Sequence, residues 1–415
     1  MFVALSNTPR DYAWGSRTAI SELFATPASG GPEAELWLGA HPASPSRILN
    51  PSLTGGAETL DAWIDADPQR ALGPRFAIGA RLPFLLKVLA IDAPLSLQAH
   101  PTPEQAREGF ARENAAGLDL AAPERNYRDA YAKPELVFAI SDRFEALCGF
   151  REPEQVREII SGLLQAAAEL PATERLSHTQ LAALSELRER ATPSGLPALV
   201  AWLSSGSPVV TGIIDALTRL ASELPADPPE RFSGELATVR LLAGEYPGDP
   251  GIVISLLLNQ VTLTRGQTLY LPAGNIHAYL RGVGVELMAA SDNVLRGGLT
   301  PKHVDVPELL RVLDFRAVDP PHLAAEVPAP GVQIFRPDVP DFVLVRFDGS
   351  VPRATFTPLG PAIALCTGGS VTVSGALSGA GASVTLNRGD AIFITPDEGA
   401  LSVSGTGELF LATTG

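Results

Sequence analysis

Arg265-Gly-Gln-Thr-Leu-Tyr-Leu-Pro-Ala-Gly-Asn-Ile-His277 is the stretch on which the fold turns. Thr268, Leu269, Tyr270 and Leu271 are the β-branched, apolar and aromatic residues that fill strands. Pro272 has a fixed φ and no N–H to give a ladder, so the strand ends there, and Gly274 permits the tight bend that follows. The chain then re-enters a sheet with His277 pointing inward. Backbone constraints on both sides set the place of this imidazole, which suits a ligand; a structural histidine is the other reading.

Outward from this stretch, residues 82–90, 95–100, 134–140, 252–258 and 261–264 read as strands. Residues 102–117 read as a short helix entered at Pro103. Between the two groups of strands the period changes. Val156, Ile159, Ile160, Leu163 and Leu164 make the stripe of an amphipathic helix, as do Leu181, Leu184 and Leu187, and again Val210, Ile213, Ile214, Leu217 and Leu220. A last helix is expected from Asp305, which stands three residues before Glu308 in the spacing of a capping box. After residue 319 short strands and Gly, Ser and Pro turns continue to the end. The expectation is a mainly β protein in three parts: a discontinuous β-barrel domain (1–150 and 247–318), a helical insertion (151–246) and a C-terminal β jelly roll (319–415).

Composition narrows the function. A chain of 415 residues with 45% hydrophobic and 19% charged residues is long enough for two or three globular cores. Its net charge of −15 opposes nucleic acid or an anionic membrane as a partner and makes any anionic substrate depend on a local cationic site. No apolar run approaches the ~20 residues that span a bilayer, and the N-terminus lacks the pattern of a signal peptide. Cys148 and Cys366 lie in apolar settings and read as buried thiols. The expectations are a cytoplasmic protein, a monomer, with no nucleic-acid or membrane partner.

Candidate chemistry gathers on both sides of the helical insertion. Gln98 and His100 are two apart on a strand, so both leave one face, with Cα atoms ~6.5 Å apart. Both could then reach one ion at ~2.1 Å; a core histidine with a polar neighbour is the alternative. Glu135 opens an apolar strand, where a carboxylate needs a metal, an arginine or solvent. Of 31 Lys plus Arg only three are lysines, Lys87, Lys133 and Lys302, and all three fall in these segments. A compact, tunable ammonium is something arginine does not reproduce, so these three are expected to face a substrate. Arg296, in a glycine-flexible loop, and Lys302 beyond it suit a phosphate or another anion. Glu286, Asp292 and Lys133 are the candidates for moving a proton.

The pattern Gly-x5-Pro-x-Gly-x2-His ending at His277 resembles the second metal-binding motif of cupins. The blocks Tyr12-Ala-Trp-Gly-Ser16, Glu35-Leu-Trp-Leu-Gly-Ala-His-Pro42 and Leu95-Ser-Leu-Gln-Ala-His-Pro101 together resemble type I mannose-6-phosphate isomerases. So do Lys133-Pro-Glu-Leu, Leu271-Pro-Ala-Gly-Asn-Ile-His-Ala-Tyr279 and Ser291-Asp-Asn-Val-Leu-Arg-Gly-Gly-Leu-Thr-Pro-Lys302. The resemblance runs from residue 1 to about 315. It implies a cupin-type jelly-roll barrel and one Zn²⁺ per subunit bound by Gln98, His100, Glu135 and His277. It also implies a catalytic arginine at Arg296 and a sugar phosphate as the small-molecule substrate, with Lys87, Ser96, Arg296 and Lys302 as expected contacts. The implied reaction interconverts mannose 6-phosphate and fructose 6-phosphate through a cis-enediol. Another cupin metalloenzyme, such as a dioxygenase or sugar epimerase, and a non-catalytic sugar-binding cupin are the competing readings. Arg388-Gly-Asp-Ala-Ile-Phe-Ile-Thr-Pro396 resembles a further cupin strand, but no metal-binding histidine follows it, so the last domain is expected to be structural.

Overall fold

The computed structural model describes residues 1–224, 232–376 and 383–415. In chain order its first eleven strands are β1 (Phe2–Ser6), β2 (Glu35–Leu38), β3 (Arg47–Ile48), β4 (Phe84–Ile91), β5 (Leu97–Ala99), β6 (Glu135–Ala139), β7 (Phe144–Phe150), β8 (Leu258–Leu263), β9 (Thr268–Leu271), β10 (His277–Ala289) and β11 (Leu295–Gly298). Nine of them, all but β1 and β3, form one antiparallel sheet.

Gly282 divides β10 into two halves with different neighbours. Residues 277–281 pair with β5 and β7, and residues 282–289 pair with β4 and β6. Gly282 has φ of 125°, and a Cβ there would lie 2.8 Å from the Cα of Phe144. Only glycine fits such a bend, and the bend lets one strand curl the sheet around an interior.

Period two sorts the strands' side chains. On β4, Phe84, Leu86, Val88 and Ala90 enter a core shared with Phe393 and Phe410 of the C-terminal domain. Leu85, Lys87, Leu89 and Ile91 take the opposite, inner face. Both faces of this strand are buried throughout, including the face that carries a lysine.

The helical segment contains Pro153–Glu169, His178–Arg190, Leu196–Leu203, Pro208–Glu223 and Ser233–Glu245. Their stripes, including Val156, Ile160, Ile213 and Leu217, pack into one core with the barrel's Leu97, Ile276 and Leu295. Of residues 252–258, expected as a strand, only Leu258 is in one, as the first residue of β8; the rest lie in the helical turn Gly251–Ile254 and the 3₁₀ turn Ser255–Leu257. Every residue from 251 to 258 is buried, and a short run that is apolar all round carries no period to separate strand from helix. Asp249 accepts the N–H of Gly251 at 2.7 Å where the helical turn starts. The helix expected at Asp305 is Val306–Val312, and the Asp305 carboxylate accepts the N–H of Glu308 at 3.1 Å. Only that half of the expected capping box forms, because the Glu308 carboxylate turns to the Tyr127 hydroxyl and Arg112.

The C-terminal residues supply six strands of an eight-stranded sheet and all of a four-stranded one, around an apolar interior. The start of the chain belongs to this region too. β1 pairs with Ala391–Ile394 in the register Phe2↔Ile394 to Leu5↔Ala391, and β3 pairs with β1. Residues 1–150 were expected to lie in the barrel, but β1 and β3 pair into the C-terminal sheet, because a pairing almost 400 residues apart leaves no local signature.

Candidate metal centre

Strand register builds the site in rows. Gln98 on β5 lies between Arg296 on β11 and His277 on β10, so the three share one face. Lys87 on β4 lies between Trp37 on β2 and Glu286 on β10. Glu135 on β6 is opposite Met288, two residues beyond Glu286, and so shares its face. Arg296 is thus on a strand, not in the flexible loop expected from its glycines, because β5 supplies the edge that β11 completes.

One ligand atom from each of His100, Glu135 and His277 lies within 4.8 Å of the others, and all three residues are buried. His100 Nδ1 is 2.7 Å from the carbonyl of Asn293, and His277 Nδ1 is 3.0 Å from that of Asn275. A carbonyl only accepts, so each Nδ1 carries the proton and each Nε2 presents a lone pair. Those two Nε2 atoms stand 3.3 and 3.2 Å from the two oxygens of Glu135. His100 Nε2 and Glu135 Oε2 have no hydrogen-bond partner despite full burial. Lone pairs aimed at a carboxylate repel unless a cation stands between them, and second-shell carbonyls on Nδ1 are the usual companions of such a cation. The Gln98 amide reaches His277 Nε2 at 3.3 Å; a half-turn of the amide presents its oxygen to the same point. Two neutral imidazoles, one carboxylate and one amide oxygen suit zinc.

One cation keeps this carboxylate charged. Lys133 Nζ is 2.9 Å from Glu135 Oε1. Burial alone would raise the pKa of Glu135, but the Lys133 ammonium beside it holds it well below the usual carboxylate range. Burial pushes His100 down to about 4, the neutral form a ligand needs. Lys87 gives its ammonium to Glu286 at 3.0 Å and approaches Glu35 at 3.9 Å, with the Trp37 ring 5.0 Å away. Burial disfavours that charge, yet Glu286 and Glu35 raise it above the lysine range. Burial raises Glu286, against the pull of Lys87 and with the push of Glu135.

The rim differs from the floor. Asp292, a candidate proton carrier, accepts from His41 Nε2 at 3.1 Å. The N–H of Ala43 donates to His41 Nδ1, which fixes that tautomer. Neither Arg296 nor Lys302 has a carboxylate partner among the described residues. Burial and then Arg128 lower Arg296; desolvation, Arg296 and Arg128 lower Lys302. Arg296 and Lys302, with Arg128 near them and no carboxylate partner of their own among the described residues, suit an anion. Ser96, two residues before Gln98, is half-buried and makes no hydrogen bond to the described residues.

The sequence reading missed Arg128 and His41. Arg128 sits in a polar loop with no period to mark it. His41 stood in the Glu35 to Pro42 block and was one of only six histidines, a rarity that could have singled it out.

The chain resembles known proteins along its whole length. Residues 2–153 match the family described as phosphomannose isomerase type I, catalytic domain. The chain is 37% identical to the mannose-6-phosphate isomerase of Escherichia coli, covering 98% of this chain and 97% of that protein. It is 34% identical to the human protein of the same name, over 95% and 93% of the two. A crystal structure of zinc-bound mannose 6-phosphate isomerase superposes with a TM-score of 0.84 at 34% identity, covering 100% of this chain and 99% of that one.

Proposed function

The chain belongs to the type I phosphomannose isomerase family, and on that premise we propose that it interconverts mannose 6-phosphate and fructose 6-phosphate with one zinc ion at Gln98, His100, Glu135 and His277. The observation that carries this reading is the pair of Nε2 lone pairs fixed against one buried carboxylate. Full-length similarity to enzymes of this name favours isomerisation over the dioxygenase, epimerase and sugar-binding readings. Zinc, when bound, supplies a Lewis acid for the oxygens at C1 and C2 of the open-chain sugar.

The residues of the chain do the rest. Arg296, Lys302 and Arg128 bind the phosphate and hold the sugar across the opening. Glu286 is assigned the proton that moves between C2 and C1. Its carboxylate takes the C2 proton, the C–H electron pair becomes the C1–C2 double bond, and the carbonyl pair moves to O1. The O2 proton passes to O1, and returning the first proton to C1 while the O2 electron pair closes the C2 carbonyl yields the ketose. Lys87 holds the Glu286 carboxylate in place, and Lys133 holds Glu135. Asp292, oriented by His41, is the acid–base candidate at the rim. The helical insertion and the C-terminal domain are assigned supporting roles, with no helix among the described residues long and apolar enough to cross a membrane.

A coupled assay for fructose 6-phosphate formed from mannose 6-phosphate tests the reading. Turnover is expected. Its absence from protein carrying one zinc per chain would overturn it.

A further inference from the structure

Asn293 is a fully buried polar residue that touches neither the ligand point nor the open rim, and every polar atom of its side chain is engaged. Its Oδ1 accepts from the N–H groups of Arg128 at 2.7 Å and Asp129 at 3.2 Å. Its Nδ2 donates to the carbonyls of Asp129 at 2.9 Å and Tyr131 at 2.8 Å, and approaches the Asp129 carboxylate at 3.3 Å. These bonds go to the backbone of one loop, 128–131, and that loop carries Arg128. The main-chain carbonyl of Asn293 goes the other way, to His100 Nδ1.

Asp129 answers from its own side. Its Oδ1 accepts from the Ser291 hydroxyl and from the N–H of Tyr131, and its Oδ2 accepts from the N–H of Asp292. The segment 291–293 and the loop 128–131 therefore form one reciprocal knot. Shifting either strand of the knot moves the carbonyl that orients a metal ligand and the backbone that aims a rim cation.

We propose that Asn293 is a positioning residue that ties His100 to Arg128, so that metal retention and sugar-phosphate binding change together when its side chain is altered. This rests on the zinc and phosphate sites assigned above. Outer-shell partners of a metal-bound imidazole change metal affinity by roughly 10–100-fold, and one misplaced charge-assisted contact to phosphate is a change of about tenfold.

The test measures two quantities on the zinc-loaded, full-length protein: the rate of zinc release to a chromogenic chelator, and KM for mannose 6-phosphate. Asn293→Ala is expected to speed zinc release about tenfold or more and to raise KM about tenfold. Asn293→Asp keeps the volume but turns an acceptor toward the Asp129 and Tyr131 carbonyls, and it must give the same paired change. Arg128→Ala is the comparator, raising KM with zinc release unchanged. An Asn293 variant that moves only one of the two quantities, or neither, overturns the proposal. A wild-type protein that retains no zinc or shows no turnover overturns the functional reading instead, so the two failures are distinct.

Discussion

Two antiparallel β regions of this molecule bury opposite kinds of interior. The C-terminal sandwich is lined by Val343, Val345, Ile392, Leu409, Leu411 and similar residues, and its one buried charged residue among those described, Glu398, meets the N-terminal ammonium at 2.9 Å. The barrel interior instead holds Lys87, His100, Lys133, Glu135, His277 and Glu286, all buried. Two corresponding stretches make the contrast concrete. After Gly266 the chain runs through a strand and a Pro-x-Gly turn into β10, whose first residue is His277. After Gly389 it runs through Ala391–Ile394 and a turn at Pro396 into Leu401–Gly405, whose first residue is the buried Leu401. Charged groups are expensive to bury. The barrel keeps them where a cation and an anionic sugar are proposed to bind, and the sandwich is filled with hydrocarbon.

Substitutions can break this contrast, and the largest effect is expected where a ligand goes. His277→Ala removes the imidazole that the Pro272–Gly274 turn delivers, and turnover should fall by about 10³-fold or more, the several kcal/mol that a bound metal supplies. Zinc content, measured by atomic absorption, should fall with it; full activity without zinc would contradict the assignment. Arg296→Ala should lower kcat/KM by about 10²-fold while leaving zinc content unchanged. Equal loss of both would make Arg296 a structural residue of β11.

Stability measurements sharpen the contrast further. Lys87→Met strands Glu286 in the interior and should lower the unfolding free energy by about 3–5 kcal/mol. The double variant Lys87→Met, Glu286→Leu gives the barrel an interior more like the sandwich, and it should recover that stability while staying inactive. A double variant as unstable as the single one would show that the pair stabilises the fold. In the sandwich, Leu411→Ala should cost about 2–5 kcal/mol by denaturant unfolding, with kcat/KM per folded molecule unchanged.

What was legible in the sequence follows the range of the interactions. His277 could be placed because Pro272 and Gly274 constrain the backbone within five residues of it. Gln98 and His100 could be paired because period two is local. Glu135 was ambiguous alone, since the two imidazoles that meet its carboxylate come from far along the chain. Arg296 was assigned to a loop because its strand exists only through pairing with β5, some 200 residues earlier. The cationic rim was half read: Lys302 and Arg296 stood in one motif, whereas Arg128 lies some 170 residues earlier, in a loop bonded to Asn293. The apolar run 252–258 misled for another reason, that burial on every side erases the period.

The central claim is that the charged interior of the barrel exists to hold one catalytic zinc. Its most direct test is to strip the protein with a chelator and follow fructose 6-phosphate formation while zinc is titrated back. The account predicts no turnover in the stripped protein and activity that rises linearly and saturates at one zinc per chain. Turnover that survives complete removal of the metal, or that fails to return when one zinc per chain is bound, would contradict it.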